Sequence, residues 1–411
     1  MQKFDPKSIQ PKEDPKPNPA DIPSPIERKK SRIVKPIIDK QSQNIRIKSG
    51  VDRPFLIIVI ILLCIGTTMV FSASYVYAKY NFAGDSYYFA KQQIKWAVIS
   101  LVGLLVASNF DYLILKRFTK LFLIVSLIAL ALVPIIGYQV NGAKRWINLG
   151  FTNLQPSELV KAAIVFYFAD YIVKNQAKMK TFKYGILPYA LFAVVICGLL
   201  VLQPHLSAMV IILLLLFVMM FLGGTNGKHL GLLALIASAG MAAIMLLTTH
   251  GNQRIQIWLQ PELDPSGAGW QPLQSLYAIG SGGLWGLGLG ESRQKHLFLP
   301  EPQNDYIFSI LCEEMGFVFA AMVIILFVLL IWRGFYIARN SPSSYTALVV
   351  YGLITQIAIQ VILNIAVVTN TIPSTGVSLP FFSYGGSSLI ICMAEMGVVL
   401  NISKYSYLKR E

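Results

Sequence analysis

The stretch FLIIVIILLCIGTTMVFSAS, residues 55–74, carries no charged side chain over its whole length. At 1.5 Å of rise per residue it can cross a hydrocarbon core of roughly 30 Å as a single helix. Working outward from it, further apolar stretches occupy 93–109, 118–137, 156–173, 185–202, 206–222, 229–247, 306–332, 345–368 and 385–402. The spacing predicts an all-α polytopic membrane protein of about ten transmembrane helices. Only Gln203-Pro204-His205 separates the fifth stretch from the sixth, which fits a tight hairpin turn.

Composition agrees with this reading. Of 411 residues, 55% are hydrophobic and 13% charged, and the mean hydropathy is +0.58. Soluble domains carry about a quarter charged residues, so a soluble domain, a coiled coil and a secreted disulfide scaffold are excluded for the bulk of the chain. The net charge of +15 would suggest nucleic acid in a soluble protein. Here no basic, aromatic-interleaved domain is available to bind it, and positive-inside loops account for the excess. Cys64, Cys197, Cys312 and Cys392 sit in apolar runs without a CxxC pair and read as small buried hydrophobes. The four histidines lack metal-ligand spacing.

Residues 1–53 are rich in Pro, Lys, Asp and Ser and lack apolar periodicity, so they are expected to form a disordered basic cytoplasmic tail. Residues 54–403 form the helical membrane domain and 404–411 a short cytoplasmic C-terminus. With an even number of spans and the tail inside, the inner loops collect Lys116, Arg117, Lys174, Lys178, Lys180, Lys183, Lys228, Arg333 and Arg339. The expected location is a cytoplasmic membrane, multi-pass, with both termini cytoplasmic.

One connection is far longer than loops usually are. Residues 248–305, between helices 7 and 8, contain Trp258, Trp270, Tyr277, Trp285 and Phe298 with glycine-rich turns between them. This reads as a large folded extracytoplasmic loop with short amphipathic or re-entrant helices. Its glycine cluster 280–290 lacks P-loop spacing, and close backbone packing or an anion-binding nest are the roles that fit it.

Several polar residues stand where burial makes them expensive. Asp305 ends the long loop against Tyr306-Ile307-Phe308, where partial desolvation would raise its pKa toward that of a general base; an N-cap of the next helix is the other reading. Glu158 and Lys161 share a helix face at i,i+3 and can pair, either as a structural tie or as part of a polar cavity. Glu313, Glu314 and Glu395 are further carboxylates in apolar segments. Lys144, Arg145, Arg254, Arg293 and Lys295 lie on the outer side against the charge bias and together offer cations for a phosphate or pyrophosphate.

The segments 142–147 (GAKRWI), 155–161 (QPSELVK), 264–269 (DPSGAG), 299–301 with 313–316 (LPE and EEMG) and 379–388 (LPFFSYGGSS) occur in an order that resembles the SEDS family (shape, elongation, division and sporulation). The FtsW/SpoVE branch is resembled more than the RodA branch. The resemblance covers everything after the tail. It implies a peptidoglycan glycosyltransferase that polymerises lipid II (undecaprenyl-pyrophosphoryl disaccharide-pentapeptide) into glycan strands at the outer face, for division or sporulation. It also implies a class B penicillin-binding protein as partner, beside other divisome or elongasome membrane proteins. Asp305 matches the family's essential loop carboxylate, and Glu158 and Lys161 match its charged helix pair. Substrate binding is then expected from Lys144, Arg145, Glu158, Lys161, Arg254, Arg293, Lys295, Ser387 and Ser388, with a divalent cation (Mg or Mn) as a candidate cofactor. Two departures stand out: Gln303-Asn304 precede the acid where His-Thr is frequent, and His205 follows Pro204 where Asp is usual. A lipid II flippase and a non-catalytic divisome scaffold are the alternative functions.

Overall fold

The computed structural model describes residues 37–38, 45–48, 50–140, 143–150, 152–247 and 249–407. Most of the expected tail and the end of the C-terminus lie outside the described residues. Within them, two short strands, β1 (Ile37–Ile38) and β2 (Ile45–Lys48), pair with each other, and β2 pairs with β6 (Tyr405–Tyr407).

A helix stands at each of the expected apolar stretches. In order they are α1 (Arg53–Asn81), α2 (Tyr88–Asn109), α3 (Tyr112–Ile136), α4 (Pro156–Asn175), the single turn α5 (Phe182–Gly185) running into α6 (Leu187–Val201), α7 (Leu206–Leu222), α8 (Gly227–Leu247), α11 (Ile307–Arg339), α12 (Ser344–Val368) and α13 (Gly386–Ser403). Among the described residues, seven helical segments are long and apolar enough to cross a membrane, and α7 is a shorter apolar helix. Apolar side chains such as Ile94, Val106, Ile135 and Val194 are exposed on the outside of the bundle, as a lipid-facing surface requires. Between α8 and α11, residues 249–305 hold α9 (Thr249–Leu259) and α10 (Trp270–Ser281). Three short strands that were not expected, β3 (Tyr138–Val140), β4 (Ala143–Asn148) and β5 (Asn153–Leu154), form a small antiparallel sheet.

Local chemistry sets the helix ends. Asp52 caps α1 by accepting from the Phe55 amide at 3.0 Å, and Arg333 near the far end of α11 pairs with the same carboxylate at 2.9 Å. Pro134 has no amide to offer the Leu130 carbonyl one turn back, and the buried Gln203 amide donates to that carbonyl instead at 2.8 Å. This bond ties the α6–α7 turn to α3.

Helix α11 is broken rather than continuous. Gly316 adopts φ +76°, a conformation only glycine adopts without strain, and separates 307–315 from 317–339. The glycine-rich segment 282–288 lies against the break. Amides of Leu287 and Gly288 donate to the Glu313 and Glu314 carbonyls at 3.0 and 2.9 Å, and those of Phe317 and Val318 donate to the Gly283 and Leu284 carbonyls at 2.9 and 3.2 Å. A Cβ on Gly316 would stand 2.3 Å from the Gly286 nitrogen, so this contact needs bare backbone on both sides. The glycine cluster therefore serves close backbone packing: it restores hydrogen bonds that the break removes.

This order of elements gathers one set of ends. α1, α3, α6 and α12 finish, and α2, α4, α7, α11 and α13 begin, at the same end of the bundle.

Candidate active site

At that end the helix termini, the β3–β5 sheet and the segments 301–305 and 376–388 enclose a cavity of about 640 Å³. It is of the size that holds a ligand with several rings. Asp305, Arg145, Glu158, Lys161, Ser387 and Ser388 all line it, so six of the expected site residues, spread over more than 240 positions of sequence, meet in one place.

Asp305 sits just before α11 but does not cap it. The cap position is Tyr306, which has no side-chain capping bond, and the Asp305 carboxyl accepts no hydrogen bond from the described residues. Its backbone carbonyl is instead held by the buried Asn364 amide at 2.7 Å, which also holds the Val377 carbonyl at 2.7 Å. Gly376, at φ +67°, brings bare backbone beside the carboxyl: a Cβ there would lie 3.1 Å from Oδ2. Desolvation raises the Asp305 pKa to about 6; the Arg145 guanidinium opposes the rise and Glu301 adds to it. A carboxylate of that basicity, free of internal hydrogen bonds and facing a cavity, is equipped to take a proton from a bound hydroxyl.

Arg145 extends from β4, donates to the Pro204 carbonyl at 2.6 Å and keeps a buried Nε with no partner among the described residues. Burial lowers its pKa, and Asp305 counters that shift. Lys161, 1% exposed, pairs with Glu158 at 2.8 Å. The Gln155 amide, at the entrance to α4, donates to the Ser387 hydroxyl at 3.3 Å and so joins α4 to the start of α13. Ser388 turns back to the Gly385 carbonyl at 3.2 Å.

Four of the expected cations stand elsewhere. Lys144, next to Arg145 on β4, is exposed and reaches the Pro134 carbonyl at 3.4 Å. Arg254 on α9 is not among the lining residues; it donates to the Ser374 carbonyl at 3.2 Å, two residues before Gly376 of the lining. Arg293 is exposed, and its amide, rather than its guanidinium, serves a site by donating to Glu313 at 2.9 Å. Lys295, 4% exposed, is sealed against Glu314 at 2.9 Å and the Gly290 carbonyl. The sequence placed these four by side of the membrane, which says nothing of depth or direction.

Other lining residues were not foreseen. Lys95 on α2 faces the cavity over the Trp96 ring, 4.4 Å from its centroid; the Gln92, Lys95, Trp96 spacing on one helix face was the available signal. His205 also lines the cavity, 7% exposed, with Nε2 3.4 Å from the Gln155 amide nitrogen and Nδ1 without a partner among the described residues. Burial, with Arg145 and Lys161 nearby, lowers its pKa to about 3, so this position is neutral where a carboxylate was the expected type. Among the described residues, no group of three or more His, Cys, Asp or Glu side chains is placed to hold a metal ion.

The fold and the cavity define a polytopic helical membrane protein with an acid–cation site at one end of the bundle. Residues 53–408 match the cell cycle protein family of FtsW, RodA and SpoVE, and the chain belongs to that family. It is 41% identical to the stage V sporulation protein E of Bacillus subtilis over 87% of this chain and 98% of that protein. It is likewise 41% identical to a probable peptidoglycan glycosyltransferase FtsW of Trichlorobacter lovleyi, over 86% of this chain and 93% of the relative. Among solved structures, a chain of a peptidoglycan synthase complex that coordinates polymerization and crosslinking superposes with a TM-score of 0.72 at 28% identity, covering 86% of this chain and 97% of the other. The rod shape determining protein RodA of Thermus thermophilus gives 0.63 at 28% identity, covering 86% and 96%.

Proposed function

We propose that this chain is a peptidoglycan glycosyltransferase that polymerises lipid II at the outer face of the cytoplasmic membrane. One observation carries the reading: Asp305, desolvated and free of internal hydrogen bonds, lines the cavity beside Arg145 at the end of the bundle opposite the lysine-rich loops. Lys116, Lys178, Lys180, Lys183 and Lys228 all lie at that opposite end, which the positive-inside bias assigns to the cytoplasm. The cavity then opens outward. The family relatives named as peptidoglycan glycosyltransferases support the chemistry.

In the proposed step, the Asp305 carboxylate takes the proton from the C4 hydroxyl of an acceptor N-acetylglucosamine. The freed oxygen bonds to the anomeric carbon of a donor N-acetylmuramic acid. The anomeric carbon–oxygen bond to pyrophosphate breaks, and undecaprenyl pyrophosphate departs with that electron pair. Arg145 and Lys161 offset the charge that develops on the leaving group. Should a divalent cation such as Mg or Mn take part, Asp305 and Glu158 are carboxylates of the cavity lining that would face it, and it would offset charge on the pyrophosphate. A positioned base contributes about 10²–10⁴-fold in rate. The likeness to a chain of a peptidoglycan synthase complex supports a class B penicillin-binding protein as the partner that crosslinks the product.

The test is polymerisation of purified lipid II by the wild type and by Asp305→Ala, each with a candidate transpeptidase present. Glycan strands from the wild type and none from the variant are expected. Equal yield from both would remove Asp305 from the role of base, and release of lipid II across the membrane without polymer would replace the reading with a flippase.

A further inference from the structure

The cavity has two unlike walls. Arg145, Lys161 and Glu158 form one, with neutral His205 beside them. The other is mostly aromatic: Tyr77 from α1, Tyr88 and Phe89 from the start of α2, with Lys95 one to two turns further on, Tyr138 and Trp146 from the sheet, and Tyr384 from the approach to α13. These rings are linked. Phe89 meets Tyr77 at 5.9 Å, Tyr88 at 5.3 Å and Tyr384 at 4.9 Å between centroids, and Tyr138 meets Trp146 at 6.3 Å. All of these rings line the same cavity, so the sheet and the α1–α2 corner contribute to one surface.

This wall is not finished by the protein. Tyr77, Tyr88, Tyr138, Trp146 and Tyr384 are only half-buried. None of the four tyrosine hydroxyls has a hydrogen-bond partner among the described residues. Rings of that kind, apolar on the face and polar at the tip, suit a ligand whose surface alternates C–H patches with hydroxyls. A sugar ring has that surface, whereas a pyrophosphate does not.

Asp305 stands at the junction of the two walls. Arg145 faces it from the charged side. On the other side, the Tyr384 amide donates to the Gln303 carbonyl at 2.9 Å, and the Asn304 carbonyl accepts from the Ser383 hydroxyl at 3.0 Å. The aromatic wall is thus pinned within two residues of the acid. Glu301, which lines the cavity together with Tyr77, adds a second carboxylate near the acid.

We infer that the aromatic wall is the acceptor subsite, a platform for the amino-sugar saccharide whose hydroxyl Asp305 deprotonates, while the charged wall takes the donor's pyrophosphate. This assignment rests on the glycosyltransferase reading and adds direction to it: the acceptor saccharide enters from the α1–α2 corner and the donor leaving group lies toward α4 and α7. Tyr88 and Tyr138 are substrate-binding residues in this arrangement, with hydroxyls that bond to the sugar.

The experiment measures binding separately from turnover. A soluble, lipid-free oligosaccharide of alternating N-acetylglucosamine and N-acetylmuramic acid is titrated into full-length protein in nanodiscs, with saturation-transfer NMR as the readout. Wild type and Asp305→Asn are expected to bind alike. Tyr88→Leu and Tyr138→Leu each weaken binding by about tenfold, while Tyr88→Phe and Tyr138→Phe, which keep the ring, retain more of it. Arg145→Gln leaves oligosaccharide binding unchanged. Oligosaccharide binding that ignores the Leu variants, or that is lost in Arg145→Gln instead, overturns the assignment. The glycosyltransferase reading fails separately, by absence of polymer from wild-type protein with its partner.

Discussion

Two buried lysine–glutamate pairs in this protein look alike and do different work. Lys161–Glu158 closes at 2.8 Å and Lys295–Glu314 at 2.9 Å, and both lysines are almost wholly buried. The difference lies in the carboxylate. Glu158 keeps 13% of its side-chain surface and lines the cavity, whereas Glu314 keeps none and accepts from the Ser72 hydroxyl at 2.7 and 2.6 Å. The first pair holds charge ready beside a ligand space. The second fastens α1 and the glycine-rich segment to the break in α11. Whether the acid of a membrane-embedded pair can be reached from a cavity separates a site from a staple.

The comparison can be broken most sharply at the staple. Lys295→Met leaves Glu314 buried and uncompensated, which costs about 3–5 kcal/mol of stability. Thermal unfolding in detergent should show a large loss of melting temperature, with activity falling only as folded protein is lost. Lys161→Met has the opposite signature. Cavity water can solvate Glu158, so the melting temperature should fall less. Polymerisation per folded molecule should drop by about 10²-fold, because a cation facing the leaving group is gone. The smallest effect belongs to Lys144→Ala: an exposed side chain outside the cavity should change stability by less than about 0.5 kcal/mol and leave polymerisation unchanged.

The sequence made the helices legible because their signal is one-dimensional. An apolar run long enough to cross a bilayer needs no partner to be recognised. The ends were less legible. α1 continues to Asn81 and α2 begins at Tyr88, beyond the apolar runs, because Tyr77, Phe82, Tyr88 and Phe89 pack as a ring cluster that amphipathic residues can join. The sheet at 138–154 was missed: its strands are two to six residues long, too short for alternation to stand out. At the site, Asp305, Glu158 and Lys161 were visible as charges in costly places. The sorting of Arg145 from Lys144 and of Lys161 from Lys295 was not, since it depends on the depth and the surroundings each occupies. His205 was noticed as a departure, but its burial, with Arg145 and Lys161 nearby, is what keeps it neutral, and the sequence shows neither.

The central claim is that Asp305 acts as a base whose affinity for a proton is set by burial, Arg145 and Glu301. The acid must be ionised to accept a proton, so activity is present above its pKa and lost below it. The most direct measurement is the pH dependence of lipid II polymerisation in wild type, Arg145→Gln and Glu301→Gln. An acidic limb centred near pH 6 is expected for the wild type, moved to higher pH in Arg145→Gln, which loses the stabilising cation, and to lower pH in Glu301→Gln, which loses the opposing anion. A limb that stays in place in both variants would contradict the account.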